Sequence, residues 1–361
     1  MTSPDIRRAV HLLPACATTG IGSLPHTQQE LALQMALQVD IPYLPQLPIG
    51  HPGEFMIASA LDGLPGLSFD AEGMVTVDLA VWEAGRASLG AALDAALSSG
   101  GLEAFEPSAL ALRAWKPFLW EVENRKLALA KAQIAGPATV RWVATASDGR
   151  PISQVPALDQ QIFRLLLART LAMVKALRRA NTTPLLFLDE PGLYALDRKD
   201  PRHLIALQEI KVMAMALRKE GALVGLHCCS NTEWDLVLDL GLDLLSLDVR
   251  LSLDAVLDHE EAFHRFVRSG AILSLGIIPT DLSSTYELRT LVESVEASFR
   301  ATLPPGPLLA DALSQVVLTP ACGLAMRSVM DAERIFEELK EAQRTLRKTA
   351  ENERATAALM N

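Results

Sequence analysis

Residues 221–231 read Gly-Ala-Leu-Val-Gly-Leu-His-Cys-Cys-Ser-Asn. A short apolar run closes abruptly on imidazole, thiol and hydroxyl groups. A run of this length, bounded by Gly221 and the Ser230-Asn231 pair, fits a strand buried on both faces, as parallel sheets require. Working outward, the same figure recurs at 16–21, 41–44, 128–135, 184–189, 223–227, 242–248, 271–277 and 315–319. Between these runs lie longer stretches with apolar residues three and four apart, such as 158–179 and 202–219, rich in basic residues at their ends. Eight buried strands alternating with amphipathic helices predict an α/β fold, a (β/α)8 TIM barrel.

One interval breaks the alternation. Residues 50–127 hold a Gly- and Pro-bearing segment and two helix-like runs, 81–97 and 107–126. No linker rich in Gly, Ser or Pro fences this stretch off, so it reads as an insertion between strands two and three of one domain spanning 1–361. Residues 329–359 read as a long charged helix whose apolar positions, among them Ile335, Leu339 and Leu346, pack on the outside of the barrel.

Composition narrows the function classes. The chain has 361 residues, half of them hydrophobic and 21% charged, which excludes disorder throughout. Lys and Arg number 33 against 43 Asp and Glu, and the net charge of −10 has the wrong sign for nucleic-acid binding. Four cysteines, Cys16, Cys228, Cys229 and Cys322, are too few for a disulfide framework and suit a reduced compartment. The N-terminal stretch lacks the apolar core and cleavage site of a secretory signal, and no run spans a membrane, so a cytoplasmic location is expected.

In a parallel barrel, catalytic groups stand at the C-terminal ends of the strands. There the chain carries Gly22–Thr27, Asp189–Gly192, His227–Asn231, Asp248, Ile278–Asp281 and Pro320–Gly323. His227, Cys229 and the distant Cys322 form the strongest constellation. Imidazole and thiolate are ligands that zinc prefers, and three protein ligands with an exchangeable fourth position make a catalytic site. Asp248 is the candidate fourth ligand. Taken singly, each cysteine reads as a small buried hydrophobe; Cys228 and Cys16 keep that reading, since Cys228 alternates to the opposite face. A zinc ion with thiolate ligands suits holding a substrate thiol deprotonated near neutral pH, ready to attack a soft electrophile such as an activated methyl group. Asp189 and Glu190 read either as anchors for a substrate ammonium group or as a helix cap. Gly20, Gly22 and Ser23 offer amides and a hydroxyl to a carboxylate. His26 and His51 lie in rim loops, where solvated histidines are common.

Together these motifs resemble the catalytic half of the cobalamin-independent methionine synthase family, within the superfamily that also holds uroporphyrinogen decarboxylase. TTGIGSLPHT, residues 18–27, is similar to that family's homocysteine-binding loop; LDEPGL, HCCS and LTPACGLAMR are similar to its later motifs. The resemblance spans nearly the whole chain and implies a (β/α)8 barrel. It implies zinc on His227, Cys229 and Cys322, with Asp248 where the family has a glutamate. It further implies homocysteine held by Gly22, Ser23, Glu54, Asp189 and Glu190, and Asp281 in the place of a catalytic histidine. The chain has the length of the short "core" type, for which methylcobalamin, free or on a corrinoid protein, is the implied donor. Two alternatives stand beside this expectation: methyl transfer to another thiol such as coenzyme M, and a non-catalytic zinc- or corrinoid-binding barrel.

Overall fold

A computed structural model of the chain describes residues 13–281 and 285–359. Residues 1–12, part of the stretch read for a targeting signal, lie outside the described residues. Among the described residues ten strands are present: β1 (Ala17–Thr18), β2 (Leu67–Phe69), β3 (Val75–Val77), β4 (Leu129–Ala135), β5 (Thr145–Ala146), β6 (Thr183–Asp189), β7 (Leu223–Cys228), β8 (Leu244–Asp248), β9 (Ile272–Ile278) and β10 (Val317–Pro320). Seven of them form one curled parallel sheet in the order β1-β10-β9-β8-β7-β6-β4. Thirteen α-helices accompany them among the described residues. None of these helices is long and apolar enough to cross a membrane.

Alternation along the strands sorts side chains into two separate cores. Leu129, Leu185, Phe187, Leu223, Leu244, Ile272 and Val317 cluster with Ala17 and Ile41 on the inward face, near the strand N-termini. Their neighbours Leu186, Leu188, Val224, Leu226, Leu245, Leu247, Leu273 and Leu275 join a larger cluster with the helices. Cys228 belongs to that outer core and is fully buried, as its position one residue from His227 requires. The same inward parity, carried toward the strand C-termini, places Lys131, Gln133, Asp189, His227, Ser246, Ser274 and Thr319 inside, all at least nine-tenths buried.

The expected second strand takes a different form. Residues 41–46 make only isolated bridges, Ser23 with Gln46 and Tyr43 with Lys131. Pro42 and Pro45 have no N–H to donate to a ladder. Single bonds remain: the Ile41 amide to the Thr18 carbonyl at 2.9 Å, Leu44 to Lys131 at 2.9 Å and Gln46 to Gly22 at 3.0 Å. The segment therefore runs between β1 and β4 without joining the seven-stranded sheet.

Between residues 46 and 129 the chain forms helices Leu79–Ser99 and Trp115–Asn124, and contributes β2 and β3 to a small second sheet with β5. Sequence periodicity signals the helices but not these strands, each of which has three residues or fewer. The final helix, Val329–Leu359, packs on β10, β9 and β1 through Ile335, Phe336, Leu339 and Leu346. Its Gln343 amide donates to the Cys16 carbonyl at 2.8 Å and its Arg347 to the Ala15 carbonyl at 2.6 Å, fastening the start of β1.

Candidate metal centre

His227 is the last inward residue of β7, and Cys229 follows directly after the strand. Cys322 stands two residues past β10. Two strands, β8 and β9, separate β7 from β10. In a flat sheet three strand spacings would hold those ends about 14 Å apart. Here ligand atoms of His227, Cys229 and Cys322 all lie within 4.8 Å of one another. The curled sheet and the reach of the side chains bring these atoms together, and Gly276 on β9 leaves room for the chain before Cys322. A Cβ at Gly276 would stand 2.7 Å from the Ala321 Cα, so only glycine lets the chain before Cys322 cross so close to β9.

The donor set fits a soft divalent ion. With Zn–S bonds of about 2.3 Å, a tetrahedral ion spaces two sulfurs about 3.8 Å apart, a separation that the observed span accommodates. The Nδ1 of His227 lies 3.0 Å from the Ser246 hydroxyl, which fixes the ring. Its buried Nε2 has no hydrogen-bond partner. A buried, oriented and unpartnered imidazole nitrogen beside two sulfurs is the arrangement that a metal completes. The two thiols also act on each other: the Cys229 S–H and His227 push the Cys322 thiol below its ordinary range, while that same hydrogen bond and burial push Cys229 up. Ionising both sulfurs together calls for a cation between them.

The cluster opens onto a cavity of about 260 Å³, which Gly22, Ser23, Glu54 and Asp189 also line. Asp189 ends β6 beside His227, and its Oδ1 is buried without a partner. Burial pushes its carboxyl up to about 6, against the opposing pull of His227 and Lys131. Glu54 is fully buried; it accepts the Leu47 amide at 2.8 Å and forms an ion pair with Arg113.

Three expected site residues lie elsewhere. Asp248 does not join the ligand cluster: its carboxylate accepts the Arg250 amide at 2.9 Å and caps helix Val249–Leu257. Glu190 turns from the cavity to cap helix Pro137–Val143, accepting the amides of Ala138 at 3.0 Å and Thr139 at 2.7 Å together with the Thr139 hydroxyl. Both placements share one cause, since helix N-termini present unpaired amides that attract a nearby carboxylate. Asp281 is outside the cavity as well and pairs with Arg250 at 2.7 Å. Of the loop histidines, His26 is buried beside a separate hollow near Glu333, and His51 is exposed.

Sequence reasoning passed over the polar groups beneath the cavity: Lys131, Gln133, Gln46 and Ser246. Lys131 offered a readable signal, because a lysine within the apolar run 128–135 must be buried if that run is a strand.

No known protein-family profile matches the chain, and no curated protein does. Solved structures do match. A methyltransferase from Methanosarcina mazei is 15% identical, with a TM-score of 0.50 over 91% of this chain and 94% of that one. That likeness shows a shared fold along nearly the whole of both chains. A Listeria monocytogenes protein designated, by assignment only, a vitamin-B12 independent methionine synthase is 17% identical, with a TM-score of 0.39 over 62% of this chain and 63% of that one. This chain thus spans under two thirds of the Listeria protein.

Proposed function

We propose that this protein is a zinc-dependent methyltransferase that moves a methyl group from a methylated corrinoid to the thiol of homocysteine, giving methionine. The observation that carries the reading is the His227, Cys229 and Cys322 cluster, with its unpartnered His227 Nε2, at the wall of a cavity that also holds Asp189. In this reading the scaffold is a complete (β/α)8 barrel, with residues 41–46 standing in the eighth strand position between β1 and β4.

Zinc on these three residues would lower the pKa of an incoming thiol, so that it binds as thiolate near neutral pH. The protein's own groups do the remainder. Ser246 holds the His227 ring in place. The free Oδ1 of Asp189 receives the substrate ammonium group, and Gly22 and Ser23 face its carboxylate. The acceptor sulfur forms the new S–C bond while the methyl–metal bond of the donor breaks, its electron pair staying on the corrinoid; the thiol proton leaves to solvent. An overall charge of −10 suits a neutral or protein-borne corrinoid donor better than a polyanionic one. A sulfonate acceptor such as coenzyme M is disfavoured by Asp189 in the cavity.

Incubation of the purified, zinc-loaded chain with methylcobalamin and L-homocysteine tests the reading. Methionine formation that disappears in Cys322→Ala supports it. Stoichiometric zinc with no turnover across several thiols leaves a binding protein instead.

A further inference from the structure

Beneath the cavity, three buried side chains form a hydrogen-bonded chain with a fixed direction. The Lys131 ammonium, 2% exposed, donates to the Gln133 Oε1 at 3.0 Å and to the Ile21 carbonyl at 2.6 Å. The Gln133 Nε2 donates to the Leu44 carbonyl at 2.9 Å and to the Gln46 Oε1 at 3.2 Å. An ammonium group only donates and a carbonyl only accepts, so both ends of Gln133 are determined. That orientation in turn makes the Gln46 Oε1 the accepting atom. Its amide nitrogen has no protein acceptor among the described residues, and Gln46 lines the cavity. Backbone bonds bind the same residue to the substrate loop: the Gln46 amide to the Gly22 carbonyl at 3.0 Å and the Leu24 amide to the Gln46 carbonyl at 2.9 Å. Gly22 sits directly on this chain, since a Cβ there would stand 2.7 Å from the Gln133 Nε2 and 2.9 Å from the Gln46 Oε1.

We propose that Gln46 donates its amide N–H to the carboxylate of the thiol substrate, and that Lys131 and Gln133 are positioning residues that hold this donor outward. The proposal rests on the reading that an amino-acid thiol occupies the cavity, and it names the group that selects for the acid end. Without Lys131, Gln133 loses the partner that fixes its oxygen, and Gln46 can turn its own oxygen toward the substrate. Among the described residues the lysine has no ion-pair partner, and its ammonium lies over the Phe187 ring at 4.9 Å. A fixed cation below the cavity floor also favours an anionic group above it.

Calorimetric titration of the zinc-loaded full chain with two probes tests the proposal. L-homocysteine carries the carboxylate; 3-aminopropane-1-thiol is the same molecule without it. Gln46→Glu replaces the donor by an acceptor of equal size, and should weaken homocysteine by about tenfold or more while leaving 3-aminopropane-1-thiol within about twofold. Lys131→Met should shift the ratio of the two affinities in the same direction, a readout that general loosening would not move. If Lys131→Met does not fold, Gln46→Glu decides alone. Equal weakening of both thiols, or of neither, overturns the role of Gln46 while the methyl-transfer reading survives. Failure of both thiols to bind the wild type overturns both.

Discussion

The inward face of the curled sheet has two ends built on opposite terms. Near the strand N-termini, Leu129, Leu185, Phe187, Leu223, Leu244, Ile272 and Val317 make an apolar plug. Toward the C-termini the same strands present Gln133, Asp189, His227, Ser246, Ser274 and Thr319, and buried polar atoms of Asp189, His227, Ser274 and Thr319 lack partners. Each buried unpaired polar group costs about 1–3 kcal/mol, set against the bonds that His227 makes with Ser246 and Gln133 with Lys131. Apolar packing is concentrated at one end and unpaired polar groups at the other, on strands only five to seven residues long for β6 to β9.

Substitutions can break that division or sharpen it. Phe187→Ala empties the plug and should destabilise the fold by about 3–5 kcal/mol in denaturant unfolding, with zinc stoichiometry retained below the transition. Loss of zinc there would show that the plug and the site are one unit. Cys322→Ala should do the reverse: zinc affinity in a chelator competition falls at least about a hundredfold, with the unfolding midpoint of the metal-free protein unchanged.

Lys131 stands at the boundary and gives a pH signature. Burial pushes its ammonium down to about 8 from the ordinary 10.5, with the Asp189 charge opposing the shift. Below about pH 8 both folded and unfolded chains carry the charge; between there and about 10.5 only the unfolded chain does, so folding gains stability as pH rises. Relative to Lys131→Met, the wild type should gain on the order of 1–3 kcal/mol across that window, measured by chemical unfolding at each pH. A flat difference would mean that the lysine is already neutral or well solvated. The smallest effect is expected at Ser246→Ala, which removes the hydroxyl beside the His227 Nδ1 and should weaken zinc about tenfold without altering the fold.

The strand positions were legible because fully buried parallel strands must be continuous apolar runs, and seven of the eight runs lie in the sheet. The eighth, 41–44, is apolar for the same reason, yet Pro42 and the following Pro45 reduce its pairing to single bonds, a backbone consequence that hydropathy does not carry. The meeting of His227, Cys229 and Cys322 was legible from the soft-ligand chemistry of residues at strand ends. Carboxylates were harder. Asp189 and Glu190 are adjacent, and only the alternation of β6 decides that the first faces inward while the second reaches helix amides. Asp248 falls at a strand end that is also a helix start, and the helix takes it. The link of Gln133 to Gln46 escaped notice because it joins β4 to a segment some 87 residues earlier in the chain.

The pairing of β1 with β10, sealed by Gln343 and Arg347, joins residues 17 and 317. Such a closure needs both segments, and on a ribosome that releases the N-terminal part first β10 emerges after the other strands of the sheet. A nascent chain that has emerged through β9 therefore carries only the His227 and Cys229 half of the cluster. Cys322 arrives with β10, so the three donor atoms come together only at the closure that joins residues 17 and 317.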